Sequence, residues 1–226
     1  MFEDRHEAGV KLAAALKAYR RDDCVILALP RGGVPVAAEV ARVLEAPMDL
    51  LLVRKIGAPA QPELAIGSVI DGGDPIVIRD GELIRLTHTS EGQFDKICAR
   101  ELEEIERRRK FYLGKRKPEN LGGRIVIVID DGLATGNTMR AALEAVRQRN
   151  PKKIVMAVPV APPDTLKTFR NLADEIVCLE TPRWFGSVGY HYRDFRQIED
   201  DEVIRLLDEC AAASQSYQRR RHDSVP

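Results

Sequence analysis

The sequence predicts an α/β fold: a doubly wound, mainly parallel sheet covered by helices on both faces. Two observations lead there. Continuous apolar runs, such as 24–29 (CVILAL), 125–129 (IVIVI) and 153–160 (KIVMAVPV), show no alternation, so both faces of each strand should be buried. Stretches with helical spacing lie between them, and strands alternating with helices build parallel sheets. With 226 residues, 44% of them apolar, the chain can bury a substantial core as a single domain, 1–226.

Taken in order, residues 4–20 read as a helix through Leu12, Leu16 and Tyr19. The strand 24–29 follows, and PRGGVP turns the chain into a helix burying Val36, Val40, Val43 and Leu44, with Pro35 in its first turn. MDLLLV, 48–53, reads as a second buried strand ending in Arg54 and Lys55. The segment 57–118 is expected to be a lid or insertion. It opens on Gly/Pro-rich sequence (IGAPAQPELAIG, 56–67), continues in short apolar runs near 65–70 and 75–78, and ends in a charged helix, 95–117. Glu103–Arg107, Glu104–Arg108 and Glu106–Lys110 pair across single turns of that helix, which predicts an exposed rod. The strand 125–129 then leads to a helix burying Met139, Ala142, Leu143 and Val146. After the strand 153–160 come a helix over 163–173 and the strand EIVCL. Residues 181–200 form an irregular aromatic segment, followed by a helix burying Val203, Leu206, Leu207 and Cys210. The tail 214–226 is expected to be disordered.

Composition narrows the function. The 35 basic and 35 acidic residues cancel, which argues against a nucleic-acid partner. The basic run ERRRKFYLGKRK has acidic neighbours and reads as a solvated helix face. Cys24, Cys98, Cys178 and Cys210 lack metal or disulfide spacing, and His6, His88, His191 and His222 show no metal pattern. The opening residues are unlike a signal peptide and no apolar run is long enough to span a bilayer. A cytoplasmic protein without membrane partners is expected.

The chemistry concentrates in RIVIVIDDGLATGNT, 124–138. A buried strand ends in Asp130 and Asp131, whose carboxylates can hold vicinal sugar hydroxyls. Ala134, Thr135, Gly136, Asn137 and Thr138 then open a helix, where backbone N–H groups lack partners and can hold a phosphate. Helix capping accounts for Thr135 but not for the aspartates, which stand too far ahead of the helix. The Walker A and dinucleotide fingerprints are absent. In PRGGVP, Arg31 can fork two oxygens of a diphosphate, while Gly32 and Gly33 bring N–H groups close to it; a plain strand-to-helix turn is the competing reading. Arg54 and Lys55 are either anion ligands or solvated charges. Trp184, Phe185 and Tyr190, with Tyr192 and Phe195, could stack on a flat ligand, or seal a sheet edge or subunit contact.

DDGLATGNT placed between strand and helix resembles the signature of the type I phosphoribosyltransferases, enzymes that use 5-phospho-α-D-ribose 1-diphosphate (PRPP). Within that superfamily PRGGVPVA, VRKIGAP and PELAIG resemble a group of bacterial members. The resemblance implies transfer of the 5-phosphoribosyl group to a nitrogen acceptor, a nucleobase or similar, with release of pyrophosphate and dependence on Mg²⁺. It implies that Asp130 and Asp131 hold the ribose hydroxyls, directly or through the metal, and that 134–138 cradle the 5-phosphate. It gives Arg31, Gly32 and Gly33 the pyrophosphate, with a cis non-proline peptide near Arg31. RKIGAP resembles the RKxGxP stretch of adenine phosphoribosyltransferases, implying that Arg54 and Lys55 face pyrophosphate, and 181–200 would form a hood carrying Trp184, Phe185 and Tyr190 over the acceptor. PRPP and a small acceptor are the implied partners, with a homodimer as the assembly admitted. The alternative is a non-catalytic sensor of PRPP or a nucleotide on the same fold.

Overall fold

A computed structural model describes residues 1–71 and 75–223. Two compact units emerge, Met1–Leu50 with Glu119–Pro226, and Leu51–Pro118.

In the first unit, Asp4 caps helix α1 (Arg5–Ala15) by accepting the Glu7 N–H at 2.8 Å, and a 3-10 turn, Lys17–Arg21, follows. Strand β1 (Cys24–Ala28) leads to α2 (Gly33–Leu44) and β2 (Met48–Leu50). Among α2's expected core positions, Val43 instead faces outward at 36% exposed. Strand β2 is shorter than the apolar run 48–53 suggests. The buried Asp49 carboxylate takes the N–H of Leu50 and that of Glu119, where the chain returns, so the strand closes there. Leu51 and Leu52 are buried without belonging to a strand, which is why the run looked continuous.

The second unit holds β3 (Val53–Ala58), β4 (Gln61–Ile70) and β5 (Ile76–Arg79) as an antiparallel sheet, order β3-β4-β5, with helices α3 (Gly81–Leu86) and α4 (Glu91–Leu113). The Gly/Pro-rich stretch 56–67 is largely a paired hairpin, with Ala58 opposite Gln61. Helix α4 is not the exposed rod expected. Ser90 and Gln93 cap it reciprocally, and Phe94, Cys98, Glu101, Ile105 and Tyr112 form a buried stripe that packs on β3 and β4. Its outer face keeps the expected Glu104–Arg108 pair at 2.8 Å, and Arg107 also reaches Glu104 at 2.7 Å.

The first unit resumes with β6 (Ile125–Ile129), α5 (Asn137–Gln148), β7 (Lys153–Val160), α6 (Pro163–Lys167), β8 (Glu175–Glu180) and α7 (Asp200–Asp223). The five strands form an entirely parallel sheet in the order β2-β1-β6-β7-β8. Strands β1 and β6 are buried at every residue. Connection β1-α2-β2 runs toward one edge and β6-α5-β7 toward the other, so right-handed crossovers put α2 and α5 on opposite faces, the doubly wound arrangement. Helix α6 covers only the start of the predicted 163–173 helix. Helix α7 runs on into the tail expected to be disordered, because Ala211–Ala213 and the Gln and Arg residues beyond are good helix formers and Ser214 is buried; residues 224–226 lie outside the described residues.

Candidate active site

Strand order reverses between β1 and β6, and in doubly wound sheets ligands bind beyond the carboxyl ends of the strands at that switch point. The two loops with the strongest motifs leave there. Ala28 stands opposite Ile129 in the ladder, and the Leu29 N–H donates to the Ile129 carbonyl at 2.9 Å. The Pro30–Arg31 peptide is cis, as the resemblance implied. Gly32 then passes directly under the acid pair: a Cβ built on it would lie 2.1 Å from Asp131 Oδ2. Only glycine admits this approach, which brings Arg31–Gly33 and Asp130–Asp131 together.

Asp131 is held at both ends. Arg5 Nε donates to its Oδ2 at 2.7 Å, and the Tyr192 hydroxyl donates to its backbone carbonyl at 2.6 Å. Asp130 accepts the Asp131 N–H on Oδ1 at 2.9 Å. Arg5 escaped the sequence reading. Its signal was present, because Arg5, Ala8, Leu12 and Leu16 share one buried stripe, and an arginine on such a stripe calls for a partner.

Helix α5 opens at Gly136, whose φ of 76° is a left-handed conformation costly for other residues. No side chain caps this end and no acidic residue stands in its first turn, which leaves the helix dipole there to favour an anion. Ala134, Thr135, Asn137 and Thr138 are exposed, and Thr165 Oγ1 pins the loop by donating to the Ala134 carbonyl at 2.9 Å. Arg31 is partly exposed, its guanidinium 3.6 Å from the Asp200 carboxylate at the head of α7.

The aromatic segment divides by role. Tyr192 packs between Phe2 and Phe195, with ring centroids 5.4 and 5.1 Å away. Phe185 stacks on His191 at 5.1 Å and packs against the cluster of Phe2, Ala8, Val160 and Tyr192. Trp184, 93% exposed, and Tyr190, 73% exposed, remain open to solvent.

Arg54 and Lys55 belong to the second unit. They lie within β3 of the antiparallel sheet rather than at the end of a core strand, since Val53 already pairs with Ile70. Each has a carboxylate partner there: Arg54 Nε to Glu101 at 2.6 Å and Lys55 Nζ to Glu63 at 2.6 Å.

The family model for the phosphoribosyl transferase domain matches residues 2–193. The chain belongs to the phosphoribosyl transferase family. A Mycobacterium tuberculosis protein provisionally named a phosphoribosyl transferase is 44% identical over 208 residues, 92% of this chain and 46% of that protein. The chain therefore spans about half the length of the curated relative it matches. The uracil phosphoribosyltransferase of Agrobacterium fabrum is 29% identical over 145 residues, covering 61% of this chain and 65% of that protein. The crystal structure of TT1426 from Thermus thermophilus, 40% identical, superposes with a TM-score of 0.80 over 92% of this chain and 98% of that one.

In this phosphoribosyl transferase-family chain the acid pair is electrostatically tense. Burial and the adjacent Asp131 charge push the Asp130 carboxyl well above the usual aspartate range. Burial raises Asp131 too, while the Arg5 guanidinium pulls it back. Such a pair favours a cation or a hydroxyl-rich ligand beside it. Among the described residues no group of three or more His, Cys, Asp or Glu could hold a metal by itself. Two carboxylates suit a magnesium ion that keeps waters and arrives with substrate phosphates. No described helix is long and apolar enough to cross a membrane.

Proposed function

We propose that this chain transfers the 5-phosphoribosyl group of PRPP to a nitrogen acceptor, a nucleobase or similar, with release of pyrophosphate. The observation that carries the reading is the approach of Gly32 to Asp131, 2.1 Å from a would-be Cβ to Oδ2. It sets a glycine-rich anion loop against a carboxylate pair, and the same polypeptide loop runs on into an uncapped helix N-terminus. A ligand suited to all three has a diphosphate, vicinal hydroxyls and a second phosphate.

Asp130 and Asp131 hold the ribose hydroxyls and favour positive charge developing at C1. The exposed N–H and hydroxyl groups of 134–138 hold the 5-phosphate, the part of the substrate that does not react, and so fix the sugar's position. Arg31 and the backbone of Gly32 and Gly33 meet the pyrophosphate as its negative charge grows. Mg²⁺ bound with the diphosphate supplies charge neutralisation of the leaving group, and Asp130 and Asp131 are the residues that would face it, directly or through water or ribose. Trp184 and Tyr190 offer open rings for the acceptor.

The test is pyrophosphate release from PRPP with Mg²⁺ across a panel of bases, with Asp130→Asn and Asp131→Asn as controls. Release that both variants abolish supports the assignment. Tight PRPP binding without release for any acceptor favours the sensor. PRPP binding that neither variant weakens refutes the site.

A further inference from the structure

We propose that Arg5 is a positioning residue of this site, fixing the Asp131 carboxylate and tying it to the aromatic segment. The inference rests on the reading of the acid pair as the PRPP site.

Arg5 is 8% exposed, at the first turn of α1, 126 positions from Asp131 in the chain. Its guanidinium meets several partners at once. Nε donates to Asp131 Oδ2 at 2.7 Å, Nη1 donates to the Arg196 carbonyl at 2.9 Å, and Cζ lies 3.8 Å from the Phe195 ring centroid and 5.9 Å from that of Tyr192. Tyr192, the second residue holding Asp131, belongs to the same segment and packs against Phe195. Phe2 joins that segment to the start of α1, donating its N–H to the His191 carbonyl at 2.8 Å and accepting the Arg193 N–H at 2.9 Å.

A buried ion pair is a poor source of net stability, because desolvating both charges consumes most of their attraction. Its geometric consequence is definite. With Arg5 on Oδ2, the carboxylate cannot rotate without breaking that bond, so its orientation toward a ligand is fixed. Lysine could keep the charge but not the planar fork that joins carboxylate, carbonyl and ring. Arg5 thus sets how the carboxylate faces the sugar and makes that orientation depend on the position of residues 192–196.

A double-mutant cycle tests this in the whole chain, reading PRPP–Mg²⁺ affinity by calorimetry with melting temperature as the folding control. Arg5→Met keeps the stem and removes the fork. It is expected to weaken PRPP binding by about tenfold or more in the wild-type background and by less than about twofold in an Asp131→Asn background. Arg5→Lys should fall between Met and wild type, and it carries the cycle if the Met variant does not fold. Equal losses in both backgrounds mean that Arg5 does not act through Asp131 and overturn the proposal. So does an Arg5→Met variant that binds as well as wild type, which leaves the PRPP reading standing. Wild-type protein that binds no PRPP overturns both.

Discussion

Replacing Gly32 with alanine probes the geometry on which the proposed site depends. The new Cβ would fall 2.1 Å from Asp131 Oδ2 and 2.6 Å from its Cγ. Ordinary contact starts at 3.4 Å, so either the loop or the carboxylate must retreat by about 1.3 Å. Asp131 is poorly able to do so, held at 2.7 Å by Arg5 and at 2.6 Å through its carbonyl by Tyr192. Gly32 itself has φ −60° and ψ −36°, a conformation alanine adopts freely, so the substitution isolates the clash from backbone strain. A misplacement of about 1 Å in a site of this kind costs about 100-fold, or about 2.7 kcal/mol. Crowding should also lower stability by about 1–3 kcal/mol. Calorimetric titration with PRPP and Mg²⁺ gives the first number and denaturant unfolding the second. Gly81→Ala, with nothing within 4 Å of its Cβ, is the control: it should leave PRPP affinity unchanged and should not lower stability. A Gly32→Ala protein that binds PRPP within about threefold of wild type would refute the reasoning.

Other expectations follow from particular contacts. Burial alone would raise the Glu101 carboxyl, but hydrogen bonds from Arg54 and Arg100 outweigh it and hold it below the usual glutamate range. A depressed carboxylate stabilises the fold above the unfolded glutamate pKa of about 4.3, and that contribution disappears as pH falls through the folded value. Glu101→Gln should cost about 2 kcal/mol at pH 7 through the lost charged hydrogen bonds, with the gap to wild type closing as pH falls below the unfolded glutamate value in urea titrations; a gap constant with pH contradicts the pairing. Trp184→Ala should leave the melting temperature unchanged, since the ring is 93% exposed, yet raise the acceptor KM by about tenfold if the ring stacks on the base. Unchanged KM across the base panel removes Trp184 from the acceptor site. Gly92→Ala, in the first turn of α4 with nothing within 4 Å, should stabilise by about 0.5 kcal/mol in the same urea assay, and a loss instead would mean that the helix start is packed more tightly than described.

The sequence by itself determined the parallel sheet and the two loops at its switch point. Strands β6 and β7 coincide with their apolar runs because a strand buried on both faces must be apolar throughout. The acid pair and the glycine-bearing turn into the next helix were equally legible, being contiguous in the chain, whereas the absence of a Thr135 cap, with Gly136 at the N-cap instead, appears only in the fold. Tertiary structure decided what hydrophobicity cannot distinguish. The run 48–53 is buried from Asp49 to Leu52, yet the parallel strand stops at Leu50 and Val53 begins an antiparallel one, because burial reports exclusion of water and not the identity of the pairing partner. That break moved Arg54 and Lys55 into a second unit, where Glu101 and Glu63 meet them. It also took the fold to bring Arg5 onto Asp131, a contact between distant positions whose local sequences say only that one helix face is buried and one strand ends in acid.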